Sequence, residues 1–216
     1  MPPPVRVSPD GHEIDELVRA LPEGRIVLGL SGAPGSGKST LAAALAAAYG
    51  VPVVPMDGFH RPNAELARMS RMDAKGAPDT FDAEAYAALL RRLHAGGTVL
   101  APSFEHGQPD PLPDTIEVPA EAGLVVTEGN YLLLDEQRWH AVRAELDQVW
   151  HVTTDETMRT ARLVARHVQF GKTPEAARAW VARVDQPNAG LVEAAADRAD
   201  LVLDLTHWAA LPASTQ

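Results

Sequence analysis

Apolar positions fall in short blocks along the chain, and their spacing predicts the elements. Ile14, Leu17, Val18 and Leu21 recur at i, i+3, i+4 and i+7, which predicts an amphipathic helix over residues 10–21. Pro22, Glu23 and Gly24 end it. Residues 25–31 (RIVLGLS) form an apolar run suited to a buried strand. A glycine-rich loop over 32–38 follows, then an alanine-rich helix over 39–49 closed by Gly50, and a second strand over 51–56. Residues 57–82 show no period and carry charges, glycines, Pro62 and Pro78. An irregular stretch of that length inside a compact domain is usually functional.

The second half alternates in the same way. A helix is predicted over 82–93, with Asp82 as its N-cap and Gly96-Gly97 as its stop. Short strands over 98–101 and 115–118 flank a proline-rich loop, and stronger strands occupy 124–127 and 149–152. Helices over 156–169, 174–184 and 191–199 lead to a last strand over 201–205. The first nine residues hold four prolines and predict a loose tail. Strands alternating with helices point to an α/β fold: a mostly parallel five-stranded sheet with helices on both faces. Residues 1–216 read as one domain without repeats: a tail and helix over 1–24, then strands and helices interrupted by the irregular segment over 57–82, with a helix-bearing stretch over 155–172.

Composition narrows the class. Hydrophobic residues at 45% and charged residues at 22% match a folded globular chain and exclude a largely disordered one. A chain of this size buries about 70% of its surface, enough for its own core. The absence of cysteine excludes a disulfide framework and any Cys-ligated metal. No apolar run approaches the roughly 18 residues of a membrane span, and the polar, proline-rich start is not a secretory signal. A net charge of −10 disfavours non-specific binding to nucleic acid or anionic membranes. These features predict a cytoplasmic protein with a small-molecule partner; a homodimer is left open. Only three of the 19 basic residues are lysines: Lys38, Lys75 and Lys172.

The sharpest motif is Gly32-Ala33-Pro34-Gly35-Ser36-Gly37-Lys38-Ser39, with Thr40 next in the helix. It fits G-x-x-x-x-G-K-[ST] at every fixed position, between a predicted strand and a predicted helix. The glycines let the backbone curl so that N–H groups face phosphate oxygens, and the helix start adds a positive dipole end. Lys38 is the side chain for the β- and γ-phosphates, and Ser39 the hydroxyl for Mg²⁺. A carboxylate at a neighbouring strand end should help hold the metal, and Glu128, after Leu124-Val125-Val126-Thr127, is the candidate. The chain has neither the guanine-reading N-K-x-D pattern nor the L-S-G-G-Q signature of transporter ATPases. The expected cofactors are ATP and Mg²⁺ on a P-loop nucleoside triphosphate hydrolase fold.

Further segments carry a resemblance. Met56-Asp57-Gly58-Phe59-His60, Lys75-Gly76-Ala77-Pro78-Asp79-Thr80-Phe81-Asp82, Glu128-Gly129-Asn130-Tyr131, Arg162-Leu163-Val164-Ala165-Arg166-His167 and Asp185-Gln186-Pro187-Asn188 accompany the phosphate loop in order. The chain resembles the phosphoribulokinase/uridine kinase family of P-loop kinases, in the branch described as nucleoside/nucleotide kinase-like or fructose-transport-associated. The resemblance implies ATP-dependent phosphorylation of a small-molecule hydroxyl on a nucleoside, a sugar or a pantothenate-like metabolite. It implies Asp57 as base, Glu128 as strand-end acid, an acceptor-binding segment over 57–82 and a helical lid over 155–172 that carries the 159–166 arginines. Relatives commonly carry an aromatic-Asp-Arg sequence where this chain has Phe104-Glu105-His106-Gly107, so the acceptor cannot be copied from any one of them.

The residues support the same reading. A hydroxyl acceptor needs a carboxylate to orient it and take its proton. Asp57 follows the second strand, on the sheet edge where ligands collect, although Asp-Gly is also a common turn. His60, Lys75, Asp79, Phe81 and Tyr131 are candidate acceptor contacts; local packing competes for His60 and Tyr131, and capping for Asp82. Arg159, Arg162 and Arg166 share one helix face, and Arg162 and Arg166 are the candidates for clamping transferring phosphates. The tryptophans read as packing or surface residues. A nucleoside monophosphate kinase, or a nucleotide-dependent switch with a protein partner, are the alternatives.

Overall fold

The computed structural model describes residues 2–105 and 108–209. Strands β1 (Val5–Arg6), β2 (Ile26–Ser31), β3 (Val53–Pro55), β6 (Leu124–Glu128), β7 (Gln148–Thr153) and β8 (Leu201–Asp204) form one parallel sheet in the order β1-β8-β7-β2-β6-β3. The five predicted strands of this sheet are all present, and β1 is a sixth. Val5 and Arg6 pair with Leu203 and Asp204, and Val7 is buried on the same edge, so residues 5–7 are not a loose tail. A two-residue strand has too few positions to show a period.

The two remaining strands, β4 (Val99–Ser103) and β5 (Leu112–Val118), are both longer than their patterns and pair antiparallel outside the main sheet. His106 and Gly107 of the intervening loop lie outside the described residues.

Helices cover both faces. The side carrying α1 (His12–Arg19) and α2 (Lys38–Tyr49) packs Ile14, Leu41 and Leu45 on Leu28, Leu30, Trp150 and Leu203. The other side carries α4 (Ala83–His94) and α5 (Gln137–Arg143), with Tyr86, Leu90 and Trp139 in its core. Asp82 does cap α4, accepting a hydrogen bond from the Ala85 N–H. The short helix α5 follows a weak apolar pattern, and the irregular segment after β3 contains α3 (Asn63–Arg68) and three 3₁₀ turns.

Helix α6 (Glu156–Gln169) runs over the phosphate loop and leads into α7 (Pro174–Trp180). The next turn, Val181–Asp185, is π-helical and continues into α8 (Gln186–Ala194). Pro187 explains the widening, because it has no N–H to bond the carbonyl four residues back. The predicted break between helices at residues 184 and 191 is therefore a change of pitch.

Candidate active site

The phosphate loop leaves β2 at the centre of the sheet and enters α2 at Lys38. Gly35 and Gly37 sit at φ 82° and 103°, a region L side chains avoid. A Cβ on Gly32 would lie 2.5 Å from the Val152 carbonyl oxygen. The loop can therefore curl only with glycine at these positions. Ser36 is buried, and its hydroxyl has no hydrogen-bond partner in the structure. A curled backbone with an orphaned hydroxyl is the arrangement a phosphate would complete.

Glu128 stands at the end of β6, beside β2. It accepts a hydrogen bond of 3.1 Å from the Ser39 hydroxyl and lies 3.8 Å from Lys38 Nζ. Burial pushes its carboxyl above the ordinary range, Asp57 adds to this, and Lys38 opposes it. Lys38 is only 13% exposed, so it is a half of a screened pair and not a freely solvated side chain. Ser39 and Glu128 thus converge as a divalent cation would require, with hard oxygen donors.

Asp57 is brought to the same edge by two close approaches. Pro55 pairs with Glu128 across β3 and β6. A Cβ on Gly129 would meet Met56 Cβ at 2.5 Å, and one on Gly58 would meet the Pro102 carbonyl oxygen at 2.4 Å. Gly58 is therefore required by the passage of β4 and serves more than a turn. The Asp57 side chain remains 44% exposed, facing a cavity, with His60 Nε2 3.9 Å away.

Two cavities meet at α6. The first, about 350 Å³, is lined by Gly35, Ser36, Gly37, Lys38, Ser39 and Thr40 on one side and by Arg162, Arg166, Leu205 and Trp208 on the other. The second, about 410 Å³, is lined by Asp57, His60, Lys75, Phe81, Phe104, Arg166, Trp180 and Asp185 among others. Arg166 borders both. Neither Arg162 nor Arg166 forms a hydrogen bond or ion pair among the described residues. Arg159, on the same face, is different: it is buried and donates to the Pro34 carbonyl oxygen (3.2 Å) and to Gln186 Oε1. It ties α6 to the phosphate loop.

The remaining predicted residues divide. Lys75 borders the second cavity and donates to Asn63 Oδ1 and the Pro109 carbonyl oxygen, each at 2.8 Å. Burial lowers its pKa, with Asp110 opposing. His60 stacks on Phe81 at 4.0 Å between centroids, and both border that cavity. Asp79 does not line it: its carboxylate takes two 2.8 Å hydrogen bonds from Arg71 and shapes the 57–82 segment from within. Tyr131 is fully buried and donates to the Gly76 carbonyl oxygen at 2.5 Å, so it braces the segment from below. Sequence reasoning missed Trp180, Asp185 and Asn188 in the second cavity and Leu205 and Trp208 in the first. The signal was present in the Asp185-Gln186-Pro187-Asn188 match, which carried no role.

Known proteins carry the same pattern. A family model described as the phosphoribulokinase/uridine kinase family matches residues 27–210. The Schizosaccharomyces pombe protein named "Putative uridine kinase C227.14" is 35% identical over 216 aligned residues, covering 91% of this chain and 92% of that one. Escherichia coli YggC is 32% identical, covering 91% of this chain and 84% of that one. A crystal structure from Silicibacter sp. TM1040, described as a "putative fructose transport system kinase", superposes with a TM-score of 0.76 at 38% identity, covering 88% and 94% of the two chains. The chain belongs to the phosphoribulokinase/uridine kinase family, P-loop kinases that transfer phosphate to an alcohol group.

Proposed function

We propose that this protein transfers the γ-phosphate of ATP to a hydroxyl of a small metabolite held in the cavity beside Asp57. The observation that carries the reading is Arg166: it borders the phosphate-loop cavity and the Asp57 cavity alike, with no hydrogen bond or ion pair among the described residues. A monophosphate acceptor would call for cations around it. Besides Arg166, which it shares with the phosphate-loop cavity, the second cavity presents Asp57 and Asp185, while Lys75 is already engaged by Asn63 and Pro109.

Bound Mg²⁺-ATP supplies the phosphoryl group and the charge of the metal. Gly35, Ser36, Gly37 and Thr40 line the phosphate-loop cavity and, with Gly32, Ala33 and Pro34 before them, would form the phosphate cradle, to which Lys38 adds a cation. Ser39 and Glu128 would hold the metal. Asp57 orients the acceptor hydroxyl and takes its proton, a role that typically contributes 10²–10⁴-fold in rate. Arg162 and Arg166 face the place where charge spreads during transfer, and a preorganised cation there lowers the barrier without reorganising. His60, Phe81 and Lys75 shape the acceptor wall; Asp79 and Tyr131 hold the segment that bears it.

The test is ADP release from Mg²⁺-ATP with and without a panel of nucleosides, sugars, pantothenate and nucleoside monophosphates. Release accelerated by a hydroxyl compound, with phosphate found on that compound, supports the reading. Release accelerated only by monophosphates refutes it.

A further inference from the structure

The second cavity holds a carboxylate that the reaction as described does not use. Asp185 is only 12% exposed, at the last position of the π-helical turn. One of its oxygens, Oδ2, accepts a hydrogen bond of 2.8 Å from His167 Nε2 on α6, one residue beyond Arg166. Its other oxygen forms no hydrogen bond among the described residues, although the side chain borders the cavity. Asn188, three residues on and therefore on the same helix face, also borders the cavity with no hydrogen bond of its own. Asp185 closes this widened turn, and such π-helical insertions recur at functional sites.

An ionised carboxylate only accepts hydrogen bonds, so a ligand reaching it must present a donor. Asp57 makes the same demand from the 3₁₀ turn after β3, within the same cavity. Phe104, Trp180 and Met72 also border the cavity. We infer that Asp185 is a specificity-determining residue of this site: it accepts a hydrogen bond from a hydroxyl of the acceptor other than the one phosphorylated at Asp57. This inference rests on the kinase reading above. Asp185 thereby selects the acceptor, and its bond to His167 ties that selection to the helix bearing Arg162 and Arg166.

The test compares wild-type kcat/KM for D-fructose, D-ribose, uridine and pantothenate with analogues of each lacking one non-reacting hydroxyl. For the best acceptor, removal of the contacted hydroxyl should lower kcat/KM by about 10- to 150-fold, the range for a hydrogen bond to a charged group. Asp185→Ala should bring the parent compound down to the level of its deoxy analogue and shrink the difference between them to less than about 3-fold. His167→Gln leaves the carboxylate in place and should keep the deoxy penalty.

Equal losses for parent and analogue in Asp185→Ala overturn the inference. So does a wild-type enzyme indifferent to every deoxy substitution, a comparison that stands even if Asp185→Ala does not fold, or a penalty abolished in His167→Gln. Each of these leaves the kinase reading intact. Absence of acceptor-dependent ADP release across the whole panel overturns the kinase reading and this inference with it.

Discussion

Arg159, Arg162 and Arg166 share a helix face, yet the structure gives them opposite duties, and truncation should separate them. Arg159→Ala removes two charge-assisted hydrogen bonds from a buried guanidinium, to the Pro34 carbonyl and Gln186 Oε1, and strands both acceptors. Hydrogen bonds to charged groups contribute about 1.5–3 kcal/mol each, so the expected loss is about 3–6 kcal/mol. For a chain of this length, each kcal/mol moves the melting temperature by about 2–4 °C, which predicts a fall of about 6–24 °C. Arg166→Ala removes an exposed side chain with no hydrogen bond or ion pair among the described residues and should change stability by less than about 0.5 kcal/mol. Its effect should appear in kcat, by about 10²-fold or more, with a smaller change in the KM for ATP. Thermal melting without nucleotide, followed by steady-state kinetics on both variants, reads the two quantities separately. Melting of Arg159→Ala within 2 °C of wild type, or of Arg166→Ala as low as Arg159→Ala, would refute the division.

Two other outcomes follow from the site. Saturating Mg²⁺-ATP at about 100 times its Kd should stabilise the wild type by about 2.7 kcal/mol, and Lys38→Ala should abolish most of that shift in a melting assay. Because Lys38 screens the buried Glu128, the same variant should also melt lower without nucleotide, an effect that Glu128→Gln should reverse. Arg71 holds the Asp79 carboxyl below its ordinary value of 3.8, so the pair contributes stability above that value, lost as pH falls through the lowered one. Limited proteolysis of the 57–82 segment should accelerate over that acid range in the wild type and already be fast at neutral pH in Asp79→Asn; equal rates at neutral pH would contradict the brace.

Much of this architecture is legible in one sequence, for physical reasons that differ by element. Strand β2 reads as buried because all six of its residues are buried, with no polar face to disguise the run. The phosphate loop is legible because its glycines are demanded by backbone geometry at Gly35 and Gly37 and by the Val152 carbonyl at Gly32. Strand β1 is not, since its register comes from β8, some 200 positions away in the chain. The arginines of α6 look alike in sequence because helical spacing reports a shared face and not a partner; only the packed structure separates buried Arg159 from Arg166, which has no hydrogen bond or ion pair among the described residues. Asp79 and Tyr131 sit inside a specific motif yet brace it from within, because the bonds to Arg71 and to the Gly76 carbonyl are tertiary. Trp180 and Trp208 read as packing residues, like the buried Trp139 and Trp150, until their cavities are seen.

The central claim is that Asp57 acts on an acceptor hydroxyl. Asp57→Asn keeps the shape of a side chain that is 44% exposed and removes its basicity. Single-turnover transfer from Mg²⁺-ATP to the best hydroxyl acceptor, measured beside the nucleotide-induced melting shift, isolates that change. The account predicts a fall in transfer of about 10²–10⁴-fold with an unchanged melting shift. Transfer within a few-fold of wild type, in a folded variant that binds nucleotide normally, would contradict it.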